Sequence, residues 1–392
     1  MIWINIIFWV CVWAMFHSYI GYPAFLYLVI LIKGKKKFIA YQNCNQLPQI
    51  SILMAAYNEH EVIEKKIRSI FLTTYPLEKI ELLVGSDNST DATNSILEKL
   101  SIEFPSLKFT PFTNRQGKIS IINQLSDKAK GKIFLITDAN VLLEENTLFE
   151  VVKYFADDNI GLVDTHMKNY GIKNDGISFQ EKSYISWEVY VKQLESNAFG
   201  TMIGPFGGCY AVRKELFFKV PSNFLVDDFF ICMNVLQQNK KTINNMNAIV
   251  HEDVSNILFI EFKRKIRIAI GNFQNLGHFK NLLLKPFSAT GFNFLSHKVF
   301  RWFGPFFLLG ALMSNIILFN HSIFYSLLFY IQLFVTILPF ADLFLKKFGI
   351  HIVLLRFATH FYTMNLSLLI GFIKSLKGVK SNVWKPTKRF QG

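Results

Sequence analysis

The stretch "LITDANVLLEENTL", residues 135–148, decides the fold. Its apolar start predicts a short buried strand that ends abruptly at Asp138 and Asn140, and the residues that follow show the pattern of a capped helix. A strand, a polar strand end and a helix in this order form one repeat of an α/β sheet.

The same repeat occurs through the central part of the chain. Apolar runs predict strands at residues 50–57, 81–87, 108–112, 132–138 and 160–165. Amphipathic stretches predict helices near residues 60–72, 91–102, 117–129 and 145–156. The alternation predicts an α/β fold with a mostly parallel sheet covered by helices on both faces. Ligands of such sheets bind outside the carboxyl ends of the strands.

The N-terminal region has the composition of a membrane span. Hydrophobic residues make up 51% of the chain, and its 41 phenylalanines exceed the need of one soluble core. Residues 2–32 carry no acidic or basic side chain apart from His17 and are long enough to cross about 30 Å of hydrocarbon. Because no basic segment precedes them, we interpret them as a retained span and not as a signal peptide. The lysines at 33–37 place the following residues in the cytoplasm.

Two further apolar regions lie near the C-terminus. Residues 303–340, broken at 320–322, are long enough for a helical hairpin, and residues 350–373 form another candidate span. His351, Arg356 and His360 in the latter are expected to face protein or water. Three spans after a cytoplasmic domain would put the basic tail outside, whereas its lysines and arginines favour the cytoplasm. The number and orientation of these spans therefore stay open.

Charge and cysteine content narrow the partners and the compartment. The net charge is +14, and the cations cluster beside apolar segments, which favours anionic membrane lipids as a partner and argues against nucleic acid. The four cysteines have neither CxxC spacing nor a disulfide pattern. This is typical of a reducing compartment.

Polar residues stand at three predicted strand ends. The first strand ends in residues 55–59, the second in 86–91 and the fourth in 137–140. Any single one of these ends is explained by a helix cap or a turn. Three at one edge of a sheet predict a site for a ligand with hydrogen-bonding groups and a bound cation or diphosphate.

Six motifs carry a family resemblance. In chain order they are "SILMAAYNE", "SDNSTDAT", "NRQGKISIIN", "ITDAN", "FGGCYAVRKELF" and "LVDDFFICMNVL". Together they resemble membrane-bound family 2 glycosyltransferases of the GT-A fold, which transfer a sugar from a nucleotide diphosphate donor. The resemblance covers roughly residues 48–275, and "SHKVFRWFGP" and the C-terminal tail resemble the membrane portion of polysaccharide-synthase-like members.

The resemblance implies a donor site. Its nucleoside pocket is implied to contain Ala56, Asn58, Glu59 and Asp87, with Asp87 facing the base. Lys118, in "RQGK", is implied to lie near the diphosphate, although a lysine at a helix start is also an ordinary surface residue. A weak preference for uridine is implied as well.

The resemblance also implies a cation site for Mg²⁺ or Mn²⁺. Asp138 and Asn140 occupy the two ends of the family's Asp-x-Asp metal motif, and Asp138 also contributes to donor binding. Because Asn140 replaces a carboxylate by an amide, we expect weaker cation binding. His251 follows the last strand of the domain and is a candidate third ligand, although a lone histidine is also typical of packed or surface positions.

The implied catalytic residues are Asp228, Asp227 and Arg267. Asp228 matches the family's catalytic base, and Asp227 is its acidic neighbour, although it is also well placed as a helix cap. Processive members carry Gln-x-x-Arg-Trp on an interfacial helix. Here the arginine is kept as Arg267, whereas Ile268 stands in place of the tryptophan that stacks on the acceptor sugar.

We predict five segments. These are an N-terminal transmembrane helix (1–33), a cytoplasmic GT-A domain (48–255), amphipathic interfacial helices (256–301), C-terminal transmembrane helices (302–374) and a basic tail (375–392).

The predicted function is inverting sugar transfer to a lipid-linked or glycan acceptor at the cytoplasmic face of a bacterial inner membrane. Possible partners are polysaccharide assembly or export proteins. The alternatives are a processive polysaccharide synthase and a catalytically impaired accessory subunit of a polysaccharide assembly complex. The large soluble domain between the predicted spans argues against a transporter.

Overall fold

The computed structural model describes residues 1–170, 177–253 and 256–379. The chain divides into two compact units. The sheet unit comprises Val29–Gly171, Ile185–Val254 and Val379–Gly392, and the helical unit comprises Met1–Leu28, Ile172–Tyr184 and Ser255–Gly378. Most of the predicted basic tail lies outside the described residues.

The sheet unit contains an eight-stranded sheet. Its strands are β1 Ile50–Ala56, β2 Ile80–Asp87, β3 Leu107–Phe112, β4 Ile133–Thr137, β5 Leu142–Leu143, β6 Ile160–Tyr170, β7 Cys209–Arg213 and β8 Lys241–Asp253. Their order is β3-β2-β1-β4-β7-β6-β8-β5. The first four are parallel, and β7 runs antiparallel between β4 and β6. The predicted mostly parallel α/β sheet is therefore confirmed.

Six helices follow the strands of this fold. They are α3 Ile63–Phe71, α4 Thr93–Glu103, α5 Lys118–Lys128, α6 Thr147–Val152, α7 Ser178–Phe199 and α8 Asp227–Gln237. In α3 the apolar residues Ile63, Ile67 and Ile70 recur at helical spacing and are fully buried in the core with β1. Apolar burial of this kind supplies most of the stability of an amphipathic helix.

Some predicted boundaries differ from the structure. β6 extends to Tyr170, beyond the predicted end at residue 165, because its second half pairs with β8. The predicted helix 145–156 ends as an α-helix at Val152 and continues as a 3₁₀ turn. The second half of β6 contains polar residues, so its sequence does not show the pattern of a strand. Its backbone pairing with β8, and not its side-chain pattern, makes it a strand.

The helical unit holds the apolar segments. The helices are α1 Ile2–Phe16, α2 Tyr22–Lys33, α9 Leu258–Phe279, α10 Ala289–Asn293, α11 Phe300–Trp302, α12 Gly304–Leu318, α13 Ile323–Lys346 and α14 Val353–Ser375, and the end of α2 belongs to the sheet unit. In the part of the chain that is described, Ile2–Lys33, α13 and α14 are each long and apolar enough to cross a membrane, and the bent pair of Ala289–Trp302 with α12 raises the number to four if it counts as one span. The apolar helices indicate association with a membrane.

Charged side chains are buried together inside the helical unit. Glu181 at the start of α7 contacts Lys265 Nζ at 2.6 Å, Arg264 Nη2 at 3.3 Å and His360 Nε2 at 2.9 Å. Glu261 binds the same Arg264 through its guanidinium at 2.8 Å. His360, within the predicted third apolar region, therefore faces protein, as expected of a titratable group in a span.

Candidate active site

Three polar strand ends lie at the same edge of the sheet. β2, β1 and β4 are neighbours in parallel register, so their carboxyl ends, at Asp87, Ala56 and Thr137, point the same way. The residues directly after them build the candidate site, which lies wholly in the sheet unit.

The Asp87 carboxylate accepts hydrogen bonds from three N–H groups of residues 115–117. It is fully buried and accepts hydrogen bonds from the backbone N–H of Gln116 at 2.7 Å and of Gly117 at 3.0 Å, and from Arg115 Nε at 3.1 Å. Gly117 takes a positive φ of 85°, which suits glycine and starts α5. The Arg115 guanidinium lies 3.3 Å from the centre of the Tyr57 ring. A carboxylate, a guanidinium and an aromatic face thus meet at the end of β2.

The ends of β1 and β2 are tied to each other. Asn58 Oδ1 accepts from the backbone N–H of Thr90 at 2.8 Å, and the Asn58 N–H donates to Ser89 Oγ at 3.2 Å. The Glu59 N–H donates to Thr93 Oγ1 at 2.9 Å. Asn58 takes a φ of 53°, which asparagine tolerates better than most residues. Asn58 and Glu59 therefore shape the rim through these loop contacts.

Lys118 lies between two carboxylates. Its Nζ is 2.7 Å from Asp138 Oδ1 and 3.6 Å from Asp227 Oδ2. Burial favours the neutral amine, but Asp138 and Asp227 outweigh burial and raise the pKa of Lys118 above its usual value. The first turn of α5 thus brings a permanent cation to the end of β4.

Asp227 and Asp228 start α8 beside this cation. Burial and the charge of Asp227 raise the pKa of Asp228 to about 7. A Cβ on Gly207 would lie 2.7 Å from Asp228 Oδ2, so glycine is needed for this close approach. Asp227 Oδ2 and the Tyr210 hydroxyl are buried without a hydrogen bond. A carboxylate that titrates near neutrality suits proton abstraction, and Asp227 Oδ2, whose described partner is the Lys118 ammonium at 3.6 Å, adds negative charge beside it.

The residues around Asn140 define what the site offers a cation. Asn140 Nδ2 donates to Glu252 Oε1 at 3.2 Å. His251 Nε2 lies 2.8 Å from Glu144 Oε1, and its strand position pairs with Leu142. Within the described ranges there is no group of three histidine, cysteine or acidic side chains that could hold a metal ion. Asp138 and the Asn140 amide fit a cation that takes its other ligands from a bound phosphate and water.

Two of the predicted site residues have no role assigned by this geometry. Arg267 is an exposed residue of α9 and belongs to the helical unit. The role of Arg267, like that of His251 as a ligand, stays a prediction. Sequence reasoning missed Arg115, Tyr57 and Glu252, although Arg115 stands in the quoted "NRQGK" motif and Tyr57 in "MAAYNE".

Known proteins resemble this chain in sequence and fold. Residues 51–220 match the family model described as glycosyl transferase family 2. A beta-monoglucosyldiacylglycerol synthase of Nostoc sp. is 30% identical over 62% of this chain and 53% of its own length. A protein of the same name from Synechocystis sp. is 31% identical over 43% of this chain and 36% of its own length. The chain thus spans about half, or less, of the length of these curated relatives.

A solved structure shares the fold. A mannosyltransferase from Pyrobaculum calidifontis, in complex with GDP-Man and Mn²⁺, superposes with a TM-score of 0.70 at 21% identity. The match covers 95% of this chain and 99% of that chain. The likeness in fold therefore extends along almost the whole chain, and the sheet unit is GT-A-like.

Proposed function

Because residues 51–220 match the family model described as glycosyl transferase family 2, we propose that the protein is a membrane-anchored inverting glycosyltransferase that uses a nucleotide diphosphate sugar. The observation that carries the proposal is the group of Lys118, Asp138, Asp227 and Asp228 beside the buried Asp87. A cation, an ion-binding carboxylate and a base are the parts that this transfer needs.

The nucleoside end of the donor binds at Asp87. The Tyr57 ring and the Arg115 guanidinium, which lies 3.3 Å from the ring centre, offer flat surfaces for a nucleobase. Ala56, Asn58 and Glu59 complete the pocket through the paired loops at the ends of β1 and β2. We take a uridine donor as the first choice, and GDP-linked sugars as the second because the solved neighbour holds GDP-Man.

The diphosphate is the leaving group, and its growing charge needs compensation. Lys118 exchanges its contact with Asp138 for a phosphate oxygen as the donor enters. Asp138 and Asn140 would hold a Mg²⁺ or Mn²⁺ ion, which would supply further positive charge to the diphosphate. Asp227 Oδ2 lies 3.6 Å from the Lys118 Nζ and helps to hold that ammonium in place.

Asp228 removes the proton of the acceptor hydroxyl. A carboxylate with a pKa of about 7 is half ionised at neutral pH and is a stronger base than an ordinary aspartate. One displacement assisted by a base inverts the anomeric carbon, because no protein nucleophile takes part. Arg267 is proposed to contribute to the same reaction from α9.

The acceptor is a membrane lipid hydroxyl or a lipid-linked glycan. Two relatives are named as beta-monoglucosyldiacylglycerol synthases, and among the described residues three apolar segments, or four with the bent pair, are long enough to cross a membrane. The lysines at 33–37 favour a cytoplasmic catalytic domain at the bacterial inner membrane. The segment boundaries 1–33, 48–255, 256–301 and 302–374 are proposed on the same grounds.

A processive synthase is the second candidate. It is favoured by a match to a Staphylococcus aureus poly-beta-1,6-N-acetyl-D-glucosamine synthase, which is 27% identical over 30% of this chain. Ile268 in place of tryptophan argues for the transfer of one or a few sugars. Chain length of the product distinguishes the two.

The test is donor turnover by the full chain in detergent. The protein is incubated with UDP- and GDP-linked sugars, diacylglycerol or membrane lipid extract, and Mg²⁺, Mn²⁺ or EDTA. Release of nucleotide diphosphate with a glycolipid product supports the proposal. A protein that binds no donor under any condition is better explained as an accessory subunit of a polysaccharide assembly complex.

A further inference from the structure

A buried lysine lies directly behind the end of β4. Lys66 on α3 is 0% exposed, and its Nζ donates to Thr137 Oγ1 at 2.8 Å and to the backbone carbonyl of Val141. No carboxylate of the described residues forms an ion pair with it. The ammonium therefore sits in the core with neutral oxygen partners.

The two partners of Lys66 bracket the cation-binding loop. Thr137 immediately precedes Asp138, and Val141 immediately follows Asn140. Thr137 Oγ1 also lies 3.0 Å from the Gly208 carbonyl, which accepts the Asp138 N–H at 3.0 Å. The Lys66 amine thus contacts both ends of the loop. Through Thr137 it is also linked to Gly208, the residue that precedes β7.

The burial of this amine has a cost for the fold. A charged amine that has only neutral partners is unfavourable in the core, although its removal would leave the Val141 carbonyl without this donor. Burial lowers the pKa of Lys66 to about 8, while Asp138 acts to raise it, so the amine still carries its charge at neutral pH. A buried lysine that lowers the stability of the fold beside the Asp138–Asn140 loop indicates a functional role for Lys66 in that loop.

We propose that Lys66 is a positioning residue that fixes the Asp138–Asn140 loop in the geometry needed to bind a divalent cation together with the donor diphosphate. The inference rests on the donor site proposed above and goes beyond it, because Lys66 itself is shielded from the ligand. Residues that do not bind the metal ion themselves but orient its ligands also influence the affinity for the metal ion.

The experiment measures binding and stability separately. Binding of UDP and GDP is titrated by calorimetry with Mn²⁺ in the full chain, and thermal unfolding is recorded for the same samples. The variants are Lys66→Met, Lys66→Gln and the control Lys65→Met, which removes an exposed lysine of the same helix. We expect binding to weaken about 10–100-fold in both Lys66 variants that still fold, whereas Lys65→Met should bind like the wild type.

The outcomes separate this inference from the proposed function. Equal binding by wild type and both Lys66 variants overturns the role of Lys66 and leaves the proposed function standing. Loss of folding in both Lys66 variants also overturns it, because Lys66 would then serve the core. If wild type binds neither nucleotide, the proposed function fails and the inference fails with it.

Discussion

The Lys118 ammonium lies 2.7 Å from Asp138 Oδ1, so the end of β4 is paired with a cation from the start of α5. The contact places a positive charge where a diphosphate is expected and compensates the carboxylate that would bind a metal ion. Asn140, an amide in place of an acid, lowers the negative charge at the same strand end. The ammonium of Lys118 therefore neutralises the carboxylate of Asp138 at this strand end.

Lys118→Met should weaken donor binding. The variant removes a charge-assisted hydrogen bond to the diphosphate, which corresponds to about a tenfold loss of affinity or more. Calorimetric titration with UDP and Mn²⁺ measures the change. Lys128→Met, an exposed lysine at the end of the same helix, is the control. Equal affinities in the two variants would remove Lys118 from the diphosphate site.

Asp228→Asn should abolish transfer and spare donor binding. The amide keeps the shape of the side chain but accepts no proton, and loss of a general base lowers the rate by about 10²–10⁴-fold. Product formation and nucleotide binding are measured on the same preparation. Turnover close to that of the wild type would show that another group is the base.

The rate should rise with pH through the pKa of Asp228. Its carboxyl is protonated below about pH 7 and inactive as a base, so the rate at saturating donor falls as the pH drops below that value. Because the Asp227 charge helps to raise this pKa, Asp227→Asn should move the inflection to lower pH. A rate that stays constant between about pH 6 and pH 8 contradicts the assignment.

Much of the fold and part of the candidate site could be predicted from the sequence. Strand ends at Asp87 and Asp138 were predictable because buried strands are short apolar runs that stop at polar residues. The place of β7 between β4 and β6 was not, because local pattern contains no information on strand order. The contacts of Arg115 with Tyr57 and of Asn140 with Glu252 join residues far apart in the chain, so only the folded arrangement reveals them.

Glu181→Gln should destabilise the helical unit. Burial opposes ionisation of Glu181, but Lys265 and Arg264 outweigh burial and lower its pKa. A lowered pKa means that this carboxylate stabilises the fold above its unfolded pKa and that the contribution is lost as the pH falls. The neutral variant leaves Arg264 and Lys265 with Glu261 but without the charge of Glu181, and loss of one partner from a buried ion pair costs about 3–5 kcal/mol.

Thermal unfolding in detergent tests this prediction for Glu181. Lys182→Gln, at an exposed neighbour on the same helix, changes the net charge by one unit in the opposite direction without touching the cluster and should leave the melting temperature unchanged. If both variants melt with the wild type, the buried cluster does not contribute to stability.

Ile268→Trp should lengthen the product if the missing aromatic ring limits processivity. Ile268 is half-buried on α9, so a larger side chain has room at the surface of the helix. A tryptophan there offers a flat face on which an acceptor sugar stacks, and this slows release between transfers. Ile266→Trp adds the same ring two residues earlier, on another face of the helix, and is the matched control. Mass spectrometry of the glycolipid products measures the number of sugars added. Products of unchanged length in Ile268→Trp would show that the size of the acceptor path, and not the absence of the ring, sets how many sugars are transferred.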